Sequence, residues 1–227
     1  MTITAQASAG VAWRRLGRVT GVAGLAAIVL IFVPIVVGTR PEPDFNAPAT
    51  EFLTYYRSPH TAASEFRSFF LTAGLITFVW FIVALTTLLR RAEGEAPWRS
   101  TIAMVSGVVL VAVVLSGNEV AAAFRADDLE PQIARYAFDE SQAAFANGRV
   151  ALGSFAVCCG WVIAPTRFLP RWLGWLAIAS GVGLALSRIS WTSPIWLLPY
   201  AMFWLWVIIV AILLLRRNYR VVAKSGS

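Results

Sequence analysis

The sequence predicts an all-α protein: a polytopic transmembrane helical bundle of six spans, with both termini cytoplasmic and a short interfacial helix after span one. Three observations lead to this fold class. Hydrophobic residues make up 58% of the chain and charged residues 14%, apolar stretches recur along its length, and Lys and Arg cluster beside alternate loops. A water-soluble domain of 227 residues with this composition would have too little polar surface.

Six stretches are long enough to cross a bilayer, because about 20 apolar helical residues span a hydrocarbon core of roughly 30 Å. They take up most of the chain, and the longest gaps are 39–66 and 123–142. We therefore expect a single transmembrane domain covering residues 1–227. The predicted spans are about 19–38, 68–89, 101–122, 143–164, 172–189 and 195–215.

The first span follows a basic stretch, as the core of a secretory signal peptide does. The apolar run 21–37 is longer than a signal core, and no small-residue cleavage pattern follows it. We expect a retained helix that bends at Pro34, because proline lacks the backbone N–H.

The segment after span one contains the predicted interfacial helix. Pro48 can begin a helix, and the residues TEFLTYY place Phe52, Leu53, Tyr55 and Tyr56 on one broad apolar side. Tyrosines suit headgroup depth, as does Trp196 later in the chain. We favour an anchoring role for this helix over a lid above a site.

The placement of charge predicts orientation, because Lys and Arg in short loops are retained in the cytoplasm. Acidic residues gather on the opposite side, so both termini should be cytoplasmic. The net charge of +7 is then explained by topology, and nucleic acid is not an expected partner. The basic residues are Arg14, Arg15, Arg18, Arg90, Arg91, Arg99, Arg167, Arg171, Arg216, Arg217, Arg220 and Lys224, and the acidic ones are Glu42, Asp44, Glu51, Asp127, Asp128, Glu130, Asp139 and Glu140.

Polar residues in or beside the spans are the candidates for function, since a charge within a membrane helix is costly and normally pairs or faces a cavity. At about 1.5 Å per residue, Glu119 and Arg149 lie at similar depth near the outer ends of their helices, so we predict that they pair. The other arginines would pair with Glu65, Asp139 or a lipid phosphate. The candidate site residues are Arg67, Asn118, Glu119, Asn147, Arg149 and Arg188.

These residues allow three interpretations. The first is that they pair with one another and set helix register, with Arg67 and Arg188 reaching the interface. The second is an outward-facing polar pocket for an anionic or zwitterionic ligand such as a lipid headgroup, anchored by the Arg149 guanidinium through two bonds. The third gives Glu119 a proton-coupled role.

The inventory of reactive side chains argues against most membrane cofactors. His60 is the single histidine and lies in a predicted outer loop, which disfavours haem and zinc. A retinal Schiff base needs a lysine inside a span, and the single lysine, Lys224, lies in the C-terminal tail. Cys158 and Cys159 point about 100° apart on a helix, so we expect inert packing residues. Glu119 is the sole candidate base for serine chemistry, and we expect no cofactor and no metal.

Small residues predict close helix packing. Gly17 and Gly21 form a GxxxG step on helix one, and Ala177, Gly181 and Ala185 form a stripe on helix five. We favour packing within the chain over a homodimer.

Three stretches resemble a group of actinobacterial six-helix integral membrane proteins of unknown function. They are TEFLTYYRSPHTAASEFRSFFLTAGLITFVWFIVALTTLLRRAEG, FLPRWLGWLAIASGVG and WLWVIIVAILLLRR. The resemblance implies the topology and a bacterial plasma membrane, and it implies no catalytic residue.

The expected function is that of a multi-pass membrane protein without evident catalytic machinery. It would bind membrane lipid or a small amphiphile in the outer pocket, or serve as an accessory subunit of a larger complex or homo-oligomer. The alternative is a small-solute or proton-coupled transporter, which needs a continuous polar path. The inner halves of helices two to four contain few polar side chains beyond Thr86 and Ser106, which argues against such a path. A lipid-acting enzyme using Glu119 ranks third, and we favour a non-enzyme.

Overall fold

The computed structural model describes residues 3–38, 41–57, 62–116, 119–190 and 193–216, with side chains for 11–36, 41–57, 66–116, 122–190 and 193–216. The described chain is all-helical and contains no strand, as the fold class predicts. The helices are α1 (Ile3–Gly38), α2 (Ala49–Arg57), α3 (Ala62–Glu93), α4 (Trp98–Leu115), α5 (Glu119–Phe124), α6 (Pro131–Thr166), α7 (Arg171–Leu186) and α8 (Leu197–Arg216), with a 3-10 turn at Pro194–Trp196 before α8.

Five helical segments of the described chain are long and apolar enough to cross a membrane. The fifth predicted span, 172–189, corresponds to α7, which is apolar but has 16 residues, or about 24 Å. It is shorter than a hydrocarbon core of roughly 30 Å, so its crossing stays a prediction. The five segments are Val11–Val36, Phe66–Glu93, Trp98–Leu115, Pro131–Thr166 and Pro194–Arg216.

In the described bundle, four contacting pairs of helices run antiparallel. Close approaches at two heights show this for each pair, because the early part of one helix meets the late part of the other. The pairs are Gly24–Phe81 and Gly74–Ile31 for α1 with α3, Gly21–Ala211 and Phe32–Trp204 for α1 with α8, Trp98–Trp161 and Gly148–Val114 for α4 with α6, and Gly160–Gly174 and Gly153–Gly181 for α6 with α7.

The alternation of helix direction gathers the basic clusters at one end of the bundle, which we call the basic end. There the Arg91 guanidinium lies 4.3 Å from the centre of the Trp13 ring, and Arg167 and Arg216 line one cleft. The opposite end is called the distal end. The structure therefore agrees with the charge pattern, and which end faces the cytoplasm stays a prediction.

Small residues allow the close approaches. A Cβ built on Gly153 would lie 2.5 Å from the carbonyl oxygen of Gly181, and a Cβ on Gly181 would lie 2.6 Å from that of Gly153. Ala177 and Ala185 lie beside Gly160 and Gly153, and Gly21 lies against α8. Packing of these small residues within the chain is thereby confirmed.

The distal end carries a second hydrophobic cluster, formed by α2, α5 and the start of α6. Phe52 of α2 is fully buried, and its ring centre lies 5.0 Å from that of Phe138. Arg57 donates from Nε to the Ala126 carbonyl at 3.2 Å, which ties α2 to the turn before α6. A helix at the predicted interfacial position is therefore present, and its buried side packs on protein. Its depth in the membrane stays a prediction.

Several predicted boundaries differ from the structure, and α1 begins at Ile3 where the first span was predicted from 19. The third span was expected to reach residue 122, but α4 ends at Leu115, where the Ser116 N–H bonds to the carbonyls of Ala112 and Val113. The following Gly117 and Asn118 favour turns over helix. Helix α6 begins at Pro131, well before the fourth span predicted from 143, because Pro suits the first helical position. At 36 residues it measures about 54 Å and extends past a bilayer core.

Candidate functional site

The structure describes four of the six predicted site residues with their side chains. Asn118 lies outside the described residues, and Glu119 begins α5 with its side chain outside the described set. The Glu119–Arg149 pair therefore stays a prediction. Arg67 is half-buried on α3, and Asp139, one of the predicted partners for the arginines, lies 3.8 Å from Arg135 in its own helix.

Arg149 lies inside the protein, midway along α6, at the level where α4 ends, since the neighbouring Gly148 faces Val114. It is 2% exposed, and its guanidinium carbon lies 5.1 Å from the centre of the Trp196 ring and 5.6 Å from that of Phe145. A cation over an aromatic face is stabilised by about 2 kcal/mol where water is excluded. The charge is therefore held by the ring faces, and Arg149 belongs to the core of the distal half.

Phe145, Trp196 and Tyr200 form a group that we call the aromatic triad. Their ring centres lie 5.5 to 6.0 Å apart with interplanar angles of 72 to 79°, the edge-to-face geometry that aromatic rings favour. The triad joins α6 to the start of α8, and two of its rings, Phe145 and Trp196, lie against the guanidinium of Arg149.

Local sequence explains the triad. Phe145 lies four residues before Arg149 on α6, and Trp196 lies four residues before Tyr200, so each pair shares a helix face. Ser193 precedes the 3-10 turn, and its Oγ accepts the Ile195 N–H at 3.4 Å, which starts the turn that presents Trp196.

Arg188 and Asn147 form the more accessible part of the site. Arg188 Nε donates to Asn147 Oδ1 at 2.9 Å; Asn147 is exposed and Arg188 half-buried. Arg188 reaches α6 because the chain keeps helical turns after α7, with the Arg188 N–H bonded to the Ala185 carbonyl at 3.2 Å. The close approach of Gly153 to Gly181 brings this end of α7 against α6.

The two guanidinium groups of this site interact. Arg188 is bonded to Asn147, two residues before Arg149 on α6, so the two like charges lie in one region of the protein and repel. The structure therefore brings Asn147, Arg149 and Arg188 together. Sequence reasoning identified these three and missed Phe145 and Tyr200, for which the four-residue spacings were the available signal.

Hydroxyl groups expected to mark any polar path have partners within the bundle. Ser106 Oγ lies 2.8 Å from Ser154 Oγ across α4 and α6, and Thr86 Oγ1 donates to the Ile82 carbonyl in its own helix at 2.8 Å. Cys158 and Cys159 are free thiols buried in α6. The Ser106 and Ser154 hydroxyls therefore join two helices, and the Thr86 hydroxyl bonds within its own helix.

The distal site can hold an anion beside aromatic surface. Its charged groups are guanidiniums, which bind carboxylate or phosphate through paired hydrogen bonds. Across the described chain, no group of three or more His, Cys, Asp or Glu residues could hold a metal ion.

No protein-family model, curated protein or solved structure matches the chain. The resemblance to actinobacterial six-helix proteins therefore stays a prediction. The apolar helices of the chain are compatible with a membrane protein.

Proposed function

We propose that this multi-pass membrane protein binds a lipid or small amphiphile through an anionic group at the distal site. The site consists of Arg188, Asn147 and Arg149 with the aromatic triad beside Arg149. The observation that carries the proposal is the second guanidinium, Arg188, held by the exposed Asn147 beside a guanidinium already buried among aromatic rings.

Electrostatics support an anionic ligand. Two like charges in a region of low dielectric raise the energy of the site, and an anion at Arg188 lowers it. A buried charge such as Arg149 is poorly screened by water, so its field adds to that of Arg188 at the protein surface. A phosphate or carboxylate is therefore attracted by both guanidiniums while it contacts only that of Arg188.

The aromatic surroundings support an amphiphile over a fully soluble anion. Trp and Tyr side chains combine apolar rings with a polar end and suit the boundary between headgroups and acyl chains. Exposed apolar side chains lie close to the site in sequence, namely Ile189, Ile195 and Leu198. An acyl chain can lie along such a surface while the headgroup meets Arg188.

The proposed roles differ among the three polar residues. Arg188 contacts the ligand, and Asn147 sets the direction of its guanidinium. Arg149, at 2% exposure, does not touch the ligand and contributes its positive charge from the protein interior.

The proposal includes a topology. Helix α7 would be a short crossing, the fifth of six, both termini would be cytoplasmic, and the distal end would face outward from a bacterial plasma membrane. In this arrangement α2 would lie at the outer interface and the site would open to the outer leaflet. The basic residues at the opposite end of the bundle support this orientation.

Native mass spectrometry of the detergent-purified full-length protein tests the function. Wild type would be compared with Arg188→Ala and with Arg125→Ala, which removes an exposed arginine from the distal turn before α6. We expect wild type and Arg125→Ala to retain a phospholipid-sized adduct, and Arg188→Ala to lose most of it. Tandem dissociation of the adduct identifies its headgroup.

Two results would overturn the proposal. One is a wild-type protein that carries no adduct after mild purification and gains none on adding phospholipid or a fatty acid. The other is equal adduct in all three proteins, which would assign the retained lipid to the general apolar surface.

A further inference from the structure

A cleft at the basic end lies outside the site described above. It has a volume of about 360 Å³ and opens between the turn that joins α6 to α7 and the last turn of α8. Its lining is cationic at the rim and otherwise apolar, and contains no acidic residue. The lining residues are Arg167, Phe168, Leu169, Pro170, Leu213 and Arg216.

The backbone at Arg167 is unusual for its residue type. Arg167 has φ 52° and ψ 25° where α6 ends, and its N–H bonds to the Ile163 carbonyl at 3.1 Å. In the described chain it is the one non-glycine residue with positive φ. Glycine takes this C-terminal position at lower cost. An arginine here therefore costs stability while placing a guanidinium at the rim.

The cleft joins two chemical environments within one helical turn. Arg216 lies at the basic end of α8, and Leu213 lies three residues earlier, toward the apolar middle of that helix. Leu169 is buried beneath the turn, so the floor is protein. A ligand that fills the cleft meets two exposed guanidiniums with its head and apolar side chains with the adjoining segment.

We propose that this cleft binds the phosphate group of an anionic phospholipid in the leaflet at the basic end. Arg167 and Arg216 bind the phosphate oxygens, and the start of the acyl region lies against Phe168 and Leu213. Basic pockets at the ends of transmembrane helices suit anionic headgroups, and guanidinium is the side chain best matched to phosphate. The apolar wall favours a lipid over free phosphate.

The site is separate from the distal site and does not depend on the function proposed there. Helix α6 ends beside this cleft, whereas Arg149 lies 17 residues before its C-terminal Thr166. Substitution of Arg188 should leave lipid binding at the basic end unchanged. The proposal for the distal site and the proposal for this cleft can therefore fail separately.

Arg167→Gly is the main test variant because glycine adopts the positive φ of this position more readily than arginine, so the variant should fold. It removes the guanidinium and relieves the positive φ, so its unfolding temperature should equal or exceed that of wild type. Arg216→Ala removes the other cation. The matched control is Arg171→Ala, which removes an exposed arginine from the first turn of α7 that does not line the cleft.

The measurement is a lipid titration of delipidated full-length protein, read by native mass spectrometry. Phosphatidylglycerol and phosphatidylcholine of the same chain length would be added separately, and sodium phosphate would be added as a competitor. We expect phosphatidylglycerol to bind wild type and Arg171→Ala alike, and Arg167→Gly and Arg216→Ala about tenfold more weakly. Phosphatidylcholine should bind all four proteins weakly.

Three outcomes would overturn the proposal. Unchanged phosphatidylglycerol binding in Arg167→Gly and Arg216→Ala would show that this lipid binds elsewhere on the protein. Equal binding of the two lipids by wild type would remove the anionic selectivity. Displacement of phosphatidylglycerol by millimolar phosphate would identify a site for a soluble anion.

Discussion

The Ser100 hydroxyl donates a hydrogen bond of 2.6 Å to the carboxylate of Glu93, so the last residue of α3 holds the first turn of α4. The same carboxylate accepts the backbone N–H groups of Arg99 and Ser100 at 3.1 and 3.0 Å and the Arg99 Nε at 2.9 Å. Its side chain is 1% exposed. The carboxylate therefore acts as an N-terminal cap supplied by the preceding helix, where Pro97 offers no side-chain cap.

Substitution of this cap should weaken the fold. We expect Glu93→Ala to lower the free energy of unfolding by about 2 kcal/mol, since it leaves the N–H groups of Arg99 and Ser100 without their acceptor. Thermal unfolding in detergent measures the effect. Glu95→Ala, an exposed residue in the same loop, is the control and should unfold like wild type; equal unfolding of Glu93→Ala would contradict the capping role.

The contact between α6 and α7 should not tolerate a methyl group at Gly153. A Cβ there would lie 2.5 Å from the Gly181 carbonyl oxygen, so backbone must move, at a cost of about 1–3 kcal/mol. At Gly148 a Cβ meets the Val114 side chain at 3.1 Å, which can adjust. We expect Gly153→Ala to unfold at a clearly lower temperature than Gly148→Ala, and the reverse order would count against this packing.

Arg149→Met separates a binding role from a purely structural one. Methionine fills similar apolar space without the charge, and replacing a buried ion by an apolar group is often neutral for stability. We expect a weaker lipid adduct in native mass spectra with an unfolding temperature close to that of wild type.

The register interpretation makes the opposite prediction for that variant. If Arg149→Met and Glu119→Gln each unfold at a clearly lower temperature and retain the wild-type lipid adduct, the two residues serve as a structural ion pair.

The two cysteines should be unreactive in the folded protein. Cys158 is 8% exposed and Cys159 is fully buried, so N-ethylmaleimide cannot reach either sulfur without local opening. We expect no labelling in mild detergent and double labelling after denaturation in SDS. Ser116→Cys provides an exposed thiol as the positive control; labelling of the native wild type at a comparable rate would refute the packing of α6.

Orientation can be measured with the same chemistry. In a background lacking the native cysteines, Ser116→Cys should react with a membrane-impermeant maleimide on intact bacterial cells, whereas Glu95→Cys should react only after lysis. Both positions are exposed and lie at opposite ends of α4. The reversed pattern would place the basic end outside and contradict the orientation predicted from charge.

Much of the helical content was predictable, whereas the boundaries near the distal end were not. The apolar runs that became α1, α3 and α8 are long, and helix is the low-energy state of such a run in lipid. The start of α6 was missed because residues 131–142 are too polar for a membrane span. Their Ala134, Ala137 and Phe138 become buried through contact with α2 and the turn before α6, which local hydropathy cannot detect.

The candidate site shows the same division. Arg149, Asn147 and Arg188 were identified because a polar group in an apolar helix is costly wherever it lies. The Arg188–Asn147 bond and the ring contacts of Arg149 depend on how helices rotate against one another. That rotation follows from packing, such as the close approach of Gly153 to Gly181.

The amino-acid sequence by itself determined the helical class, the apolar segments and the alternation of basic and acidic loops, because each depends on short stretches of chain exchanging water for lipid. Tertiary structure decided which side chains meet. The aromatic triad beside Arg149 and the basic cleft each join residues far apart in sequence, and their contacts exist only after close helix packing has selected one rotation and one height for every helix.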